Sequence, residues 1–131
     1  MQDFNQQIKK ALEQIINVKS TFNRKWVDIN PVSVYVRKGV RFFNDKKFNT
    51  IEIANIDVEE SERKKGYFRT ICNIAEEIAR EKNLCVYHEN VIEDLHAFHT
   101  QRGYQKIGEH FNISFYKNFN LIFLLSKIWG L

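Results

Sequence analysis

The chain has 131 residues, of which 44% are hydrophobic and 27% are charged, and it includes 11 Phe, 5 Tyr and 2 Trp. This composition excludes a disordered chain, and the length fits one domain over residues 1–131 with one hydrophobic core. The net charge of +4 suits an anionic ligand, but it is too diffuse to indicate nucleic acid, and no nucleic-acid partner is expected.

Cysteine and histidine usage indicates neither a disulfide scaffold nor a metal site. Cys72 and Cys85 are the only cysteines, whereas a disulfide-stabilised domain of this size normally carries more. A cytoplasmic location is therefore expected, with both thiols in the core. His96 and His99 are three apart, but no third ligand lies at a recognisable spacing, so no metal is predicted.

The two ends of the chain differ in polarity. The N-terminal MQDFNQQIKKALEQ is too polar for a signal peptide. The C-terminal NLIFLLSKIWGL is apolar, but its 12 residues include a lysine and are too few to cross a bilayer. We expect an apolar extension over 118–131 that packs on its own sheet or forms a homodimer interface.

The first half of the chain predicts a helix followed by strands. Apolar residues at helical spacing predict a helix over 3–17. Pro31 begins an extended region, in which VSVYVRKGVRFF is either one strand bent at Gly39 or a short hairpin. NDKK, residues 44–47, predicts a turn before the next strand, NTIEIANIDV.

The apolar alternation of NTIEIANIDV shifts phase by one residue. Ile51 and Ile53 share one face and Ile56 and Val58 share one face, but Ile53 and Ile56 are an odd number of positions apart. This pattern favours a β-bulge near Ala54, where one residue leaves the ladder. A strand buried on both faces would give the same pattern.

The second half predicts helices alternating with strands. An apolar stripe predicts a helix over 67–82, and LCVYHENV predicts a short strand after it. A further helix over 92–102 ends at Gly103, and YQKIGE and NISFYKNF form two closing strands. This β-α-β-α-β order predicts an α/β (α+β) fold with a parallel strand pair across helix 67–82.

The segment ESERKKG lies between the phase-shifted strand and helix 67–82. The first turn of a helix has unpaired backbone N–H groups and a partial positive charge. Gly66 allows close approach of a ligand, and Arg63, Lys64 and Lys65 add cationic donors. The segment is therefore a candidate phosphate site. The alternative is a loop whose lysines only face solvent.

The residues VEESERKKGYF resemble the acetyl-CoA-binding motif V-x-P-x-x-[RQ]-x-x-G-x-[GA] of GNAT-superfamily N-acetyltransferases. Val58, Arg63 and Gly66 match this motif, whereas Glu60 and Phe68 replace its proline and its second small residue. Downstream, VYHENVIEDLHAFHTQRGYQKI is similar to the second half of the family. The matching positions there are Leu95, Phe98, Gly103 and Tyr104. The resemblance covers residues 46–117 and is closest to small GNAT proteins of phage and bacterial genomes.

The resemblance implies a mixed, mostly antiparallel sheet with a splayed central parallel pair and helices on both faces. It implies transfer of an acetyl group from acetyl-CoA to a primary amine of a small molecule or protein by direct attack. The pantetheine arm would pair with the backbone near Ile56 and Val58, and Asn90 would contact it or only cap a turn. The residues expected at the pyrophosphate are Arg63, Lys64, Lys65, Gly66, Tyr67, Phe68 and Arg69.

The resemblance also implies catalytic roles. The family's proton-donating tyrosine lies four residues before the glycine, where this chain has His99, which either replaces it or only packs in the helix. Tyr116 is a further candidate acid, and Glu52 and Asp57 are candidate bases or ion-pair partners. The alternative function is a catalytically weak or inactive module of the same fold that acts by binding a protein partner.

Overall fold

The computed structural model describes residues 3–120, which form a six-stranded sheet with helices packed against it. The elements in chain order are α1 (Phe4–Ile16), β1 (Asn23–Ile29), β2 (Val32–Phe43), β3 (Lys46–Val58), α2 (Tyr67–Lys82), β4 (Cys85–His88), α3 (His96–Gln101), β5 (Gln105–Ile107) and β6 (Ser114–Asn118). Single 3-10 turns, Glu60–Glu62 and Glu93–Leu95, precede α2 and α3.

The strand order is β1-β2-β3-β4-β6-β5. β3 and β4 are parallel, and the other neighbouring strands are antiparallel. The predicted mixed, mostly antiparallel sheet and its parallel pair are therefore confirmed. Because β3 and β4 are joined by α2, the pair is a β-α-β unit whose helix starts beside the carboxyl end of β3.

The main core lies between one face of the sheet and the helices. α1 and α2 pack together there, and each buries the apolar side of an amphipathic helix. His99 of α3 stacks on Phe115 at 5.0 Å between ring centroids, and Phe115 belongs to this core. Within residues 3–120, α1, α2 and α3 all contact this face of the sheet.

A second, aromatic cluster covers the opposite face at the β4 and β6 end. Cys85, Tyr87 and Tyr116 are buried in it, beside Phe43 and Phe48. The rings of Phe43 and Tyr116 stack at 3.9 Å and 8°. Cys85 is in this cluster and Cys72 is buried on the apolar side of α2, so both thiols are core residues as predicted. Burial raises the pKa of Cys85 to about 12.

Local signals account for most element boundaries. Asp3 caps α1 with its side chain, in a capping box with Gln6, and this fixes the helix start. β2 is a single strand through Gly39 rather than a hairpin. The turn between β2 and β3 uses Asn44 and Asp45 at φ of 51° and 63°, a conformation that these residue types tolerate.

Two elements differ from the sequence expectations. β1 was not predicted, because only Val27 within it is buried and a strand with little apolar alternation gives no periodic signal. The helix expected over 92–102 is a 3-10 turn followed by the short α3.

Most of the apolar extension over 118–131 lies outside the described residues. Its first part is on the sheet: Phe119 is buried, and its N–H donates to the Leu84 carbonyl at 3.0 Å. Within residues 3–120, none of the helices combines the length and the hydropathy that a bilayer crossing needs.

Candidate active site

The predicted bulge is present in β3. Tyr35 and Val36 are consecutive on β2, yet their partners on β3 are Asn55 and Ile53. Ala54 is therefore the additional residue that opposes no residue of β2. A bulge re-aims the backbone groups around it, and here it lies where β3 and β4 separate.

The parallel pair ends immediately beside the bulge. The ladder runs from Thr50 opposite Cys85 to Ile53 opposite His88, and the Glu89 N–H then donates to the Ile53 carbonyl at 3.1 Å. Beyond this point no described strand pairs with the β4 side of residues 54–58. β3 therefore presents an open backbone edge that an extended ligand can pair with.

The segment after β4 turns toward β6, which keeps this edge open. The Val91 N–H donates to the Ile113 carbonyl at 2.7 Å, and the Asn90 N–H donates to Ser114 Oγ at 3.1 Å. Asn90 itself has a φ of 49°, so it forms the bend that carries the chain away from β3.

A cavity of about 160 Å³ fills the space between the parted strands. Its strand wall is residues 53–56, and its opposite wall is residues 88–92. Phe68 of α2 and Leu95 close it. Because Phe68 lies in the first turn of α2, the cavity adjoins the start of that helix.

The first turn of α2 has no side-chain cap among the described residues. Gly66 is the N-cap at a φ of 87°, and the first turn holds no acidic residue. A Cβ built on Gly66 would have no atom within 4 Å, so the space in front of the helix is open. These are the properties of an anion site at a helix N-terminus.

The cations of the loop have different partners. Arg63 Nε donates to the Val58 carbonyl at 3.0 Å, which ties the loop to the end of β3. Lys65 Nζ lies 2.9 Å from a Glu62 carboxylate oxygen. Within residues 3–120, Lys64 and Arg69 make no ion pair, and they are the cations available to an incoming anion.

Phe68 occupies the position where the related motif has a small residue. Its ring turns into an aromatic cluster, 5.4 Å from Phe98, 5.8 Å from His99 and 6.2 Å from His88 between ring centroids. The large side chain is therefore accommodated as a wall of the cavity and leaves the front of the helix open.

His99 is fully buried behind this wall. Its Nδ1 lies 2.8 Å from the Leu95 carbonyl, which can only accept, so Nδ1 carries the proton. Its Nε2 has no hydrogen-bond partner among the described residues. Burial lowers the pKa of His99, which favours the neutral ring at pH 7.

His88, which was not predicted, is the histidine that lines the cavity. Its ring lies 4.6 Å from that of His99, and its buried Nε2 also has no partner within the described residues. Burial, reinforced by the neighbouring His99, holds the pKa of His88 well below its usual value. His88 reaches the cavity because the β4 register sets it opposite Ile53 beside the bulge, which the sequence does not show.

Tyr116, which was considered as an acid, and Tyr104 both have other partners. Tyr116 lies in the aromatic cluster on the opposite face, where its hydroxyl donates to Gln105 Oε1 at 2.5 Å and burial raises its pKa. Tyr104 is buried, and its hydroxyl donates to Glu76 Oε2 at 2.9 Å. Arg102 also binds that carboxylate, at 2.8 Å and 3.1 Å.

Glu52 is held in a network of charges. Its carboxylate, 3% exposed, accepts from Arg41 Nε at 2.7 Å, Arg37 Nε at 3.0 Å and the Thr50 hydroxyl at 2.7 Å. Arg37 also lies 2.8 Å from Glu89, and the hydrogen bond between Arg41 and Glu52 raises the pKa of Arg41.

Asp57, the other candidate base, lies at the far end of β3. Its side chain is 75% exposed, and its nearest ion-pair partner is Arg63 at 3.8 Å. Of the predicted cofactor residues, the fold brings together the helix start, residues 55–58 and Asn90, whereas the four predicted catalytic residues lie apart from one another.

Comparison with known proteins gives a fold rather than a close relative. No family model matches the chain, and no curated protein matches it. The AtaT structure complexed with acetyl-methionyl-tRNAfMet is similar, with a TM-score of 0.57 and 14% identity over 80% of this chain and 75% of that one. A GNAT-family acetyltransferase from Staphylococcus aureus gives 0.51 and 12% over 91% and 80%.

A mutant AtaT toxin bound to the C-terminus of the antitoxin AtaR and acetyl-CoA gives a TM-score of 0.52 and 13% identity over 72% of this chain. The present chain spans only 62% of that AtaT chain. Together with the bulged strand, the parted parallel pair and the strand order, these likenesses show that the chain has the fold of the GNAT acetyltransferases.

Proposed function

We propose that the protein transfers an acetyl group from acetyl-CoA to a primary amine. The observation that carries this proposal is the continuous arrangement of an open β3 edge, a cavity at the bulge and an uncapped α2 start, with Phe68 common to the cavity and the helix. The AtaT structure with acetyl-CoA shares this fold, which supports the same co-substrate here.

The pyrophosphate of coenzyme A would lie on the backbone N–H groups of residues 64–69. These groups and the helix dipole favour a negative charge, and Lys64 and Arg69 would add donors. The pantetheine arm would then extend along Ile56 and Val58 and pair with the free edge of β3, with Asn90 across from it.

In the reaction, the amine nitrogen attacks the thioester carbonyl carbon, the new C–N bond forms and the C–S bond breaks. A backbone N–H at the bulge would stabilise the oxyanion. The coenzyme A thiolate takes one proton, for which His99 and Tyr116 are the proposed donors. The attacking amine loses one proton, for which Glu52 and Asp57 are the proposed acceptors.

The proposed proton donors and acceptors differ in how close they lie to the cavity and in what they contact. His99 packs on the cavity wall through Phe68, whereas the Tyr116 hydroxyl is bonded on the opposite face of the sheet. Asp57 is free to accept a proton but lies at the exposed strand end, while the oxygens of Glu52 are occupied by two arginines. His99 is therefore the first donor to test, and because its neutral ring carries its proton on Nδ1 toward the Leu95 carbonyl, it would protonate the thiolate from Nε2 only after that nitrogen had accepted a proton.

One observation favours the alternative, a module of the same fold that acts by binding a partner. The cavity holds only about 160 Å³, and Phe68 forms one wall of it. The AtaT toxin was solved bound to the antitoxin AtaR, so a protein of this fold can engage a protein partner.

The test is release of free thiol from acetyl-CoA in the presence of a panel of primary amines, with the acetylated product identified by mass spectrometry. We expect amine-dependent release by the wild type, loss of at least 10-fold in kcat for His99→Gln across pH 6 to 9, and little change for Tyr116→Phe. Acetyl-CoA binding without release for any amine would favour the binding module.

A further inference from the structure

A second and larger cleft lies on the face of the sheet opposite α1, α2 and α3. Its volume is about 560 Å³. Arg24 of β1, Arg37, Gly39 and Arg41 of β2, and Glu52 of β3 line it, with Phe22 and Lys38 at its rim. We call this set of residues the basic cleft.

The basic cleft carries more positive than negative charge. Its three arginines are Arg24, Arg37 and Arg41, whereas the Lys38 ammonium donates to the Val18 carbonyl at 2.8 Å. The carboxylates that reach the arginines are Glu52 and Glu89, which leaves an excess of one positive charge. A phosphate group, which carries about −1.5 to −2 at pH 7, has the sign of charge that this excess attracts.

Two arginines face each other at the centre of this excess. Arg24 and Arg37 are directly opposite on β1 and β2, and like charges in such a cross-strand pair destabilise a sheet. Arg37 is held in place by Glu52 and Glu89, whereas Arg24 makes no ion pair within residues 3–120. A bound anion between the two guanidinium groups would relieve the repulsion, and the planar guanidinium fork suits phosphate.

Gly39 forms part of the floor of the basic cleft. A glycine inside a strand weakens it and often marks a place where a ligand approaches the backbone. A Cβ at Gly39 would lie 3.6 Å from Glu52 Oε2, 3.6 Å from Thr50 Oγ1 and 3.7 Å from the Phe22 ring. Any longer side chain would therefore extend into the space between these groups.

Phe22 gives the basic cleft a flat apolar wall. Its side chain is 64% exposed and borders the same space as the arginines. An exposed aromatic ring beside cationic side chains is the combination that binds a planar ring joined to a phosphate.

The charge network connects the basic cleft with the proposed thioester site. Arg37 lines the cleft and lies 2.8 Å from Glu89, and Glu89 lines the cavity between β3 and β4. A ligand in the cleft would therefore lie one ion pair away from the cavity, on the other side of the parted strands.

We propose that the basic cleft binds the acceptor through a phosphate group between Arg24 and Arg37, with a planar ring of the acceptor on Phe22. Its role as the acceptor site rests on the proposed acetyl transfer. The ligand chemistry is thus a nucleotide unit, whose source is either a free nucleotide or the end of a polynucleotide.

The experiment is calorimetric titration of the full chain with UMP, uridine and a single-stranded hexauridylate, without coenzyme A. We expect UMP to bind at least 10-fold more tightly than uridine. Tighter binding of the hexanucleotide, with a steep salt dependence, assigns a polynucleotide source, and binding no tighter than that of UMP assigns a free nucleotide.

Matched variants locate the binding. Arg24→Glu should weaken UMP binding at least 10-fold, and Gly39→Val should do so by filling the floor. Lys25→Glu makes the same charge change one position along β1, at an exposed residue outside the cleft, and should change the affinity less than 2-fold. Circular dichroism confirms that each variant is folded.

Equal affinity for UMP and uridine would overturn the proposal. An equal loss of UMP affinity in Arg24→Glu and Lys25→Glu would overturn it as well. Titration of the wild type with acetyl-CoA alone is a separate readout. Acetyl-CoA binding without UMP binding would reject only the basic cleft, and UMP binding without acetyl-CoA binding would reject only the acetyl transfer.

Discussion

The substitution Gly66→Glu should remove acetyl-CoA binding while leaving the protein folded. Gly66 has a φ of 87° at the N-cap of α2, where an L side chain costs about 1–2 kcal/mol. A carboxylate at a helix N-terminus stabilises the helix by about 0.3–1 kcal/mol, which offsets part of this cost. The net loss of about 1 kcal/mol lowers the melting temperature of a domain of this size by about 4 °C.

The effect of the substitution on acetyl-CoA binding should be much larger than its effect on stability. Acetyl-CoA at 100 times its Kd stabilises the folded state by about 2.7 kcal/mol, which corresponds to a rise of about 10 °C in the melting temperature. The carboxylate that the substitution introduces would occupy the open space before the helix and repel the pyrophosphate. We therefore expect the thermal shift with acetyl-CoA to fall below about 2 °C.

Gly103→Glu is the matched control. Gly103 has a φ of 84°, and a Cβ there meets only the end of the flexible Lys117 side chain, at 3.3 Å from Nζ. This variant introduces the same side chain with the same backbone strain at the end of α3. The rise in its melting temperature with acetyl-CoA should therefore stay at about 10 °C. A full ligand shift in Gly66→Glu would refute the placement of the pyrophosphate.

Two further predictions concern stability. The pKa values of His88 and His99 are lowered in the folded state, so below pH 6.5 the unfolded chain binds more protons than the folded chain does. The free energy of unfolding should therefore decrease as the pH is lowered, by up to about 1.4 kcal/mol per pH unit for each histidine. Urea denaturation between pH 7.5 and 5 measures this slope, which His88→Phe should reduce; a flat profile would contradict burial of the neutral rings. Glu76→Ala should cost about 3 kcal/mol, because it leaves Arg102 and the Tyr104 hydroxyl without their buried partner. The exposed Glu77→Ala should cost less than about 1 kcal/mol, and equal losses in urea denaturation would contradict this account.

The sequence predicted those parts of the fold that depend on periodicity and turn chemistry. α2 coincides with the helix predicted over 67–82, since its apolar stripe is continuous and Gly66 and Asn83 mark its ends. The bulge at Ala54 was readable because one extra residue changes which face every later side chain occupies.

The parts that could not be predicted depend on contacts between strands. His88 and Glu89 reach the site only because β4 ends opposite the bulge. Arg37 and Arg41 are four residues apart on β2, but only the β1–β2 register brings Arg24 beside them, and only the β2–β3 register places Glu52 there. The net charge alone gave no indication of this basic cleft, because nearby carboxylates balance much of it.

Calorimetric titration of the wild-type chain with acetyl-CoA tests the central claim most directly. We predict saturable one-to-one binding, weakened strongly by Gly66→Glu and unchanged by Gly103→Glu. No detectable binding at millimolar acetyl-CoA would contradict it, because the open β3 edge and the uncapped α2 start would then hold no coenzyme A.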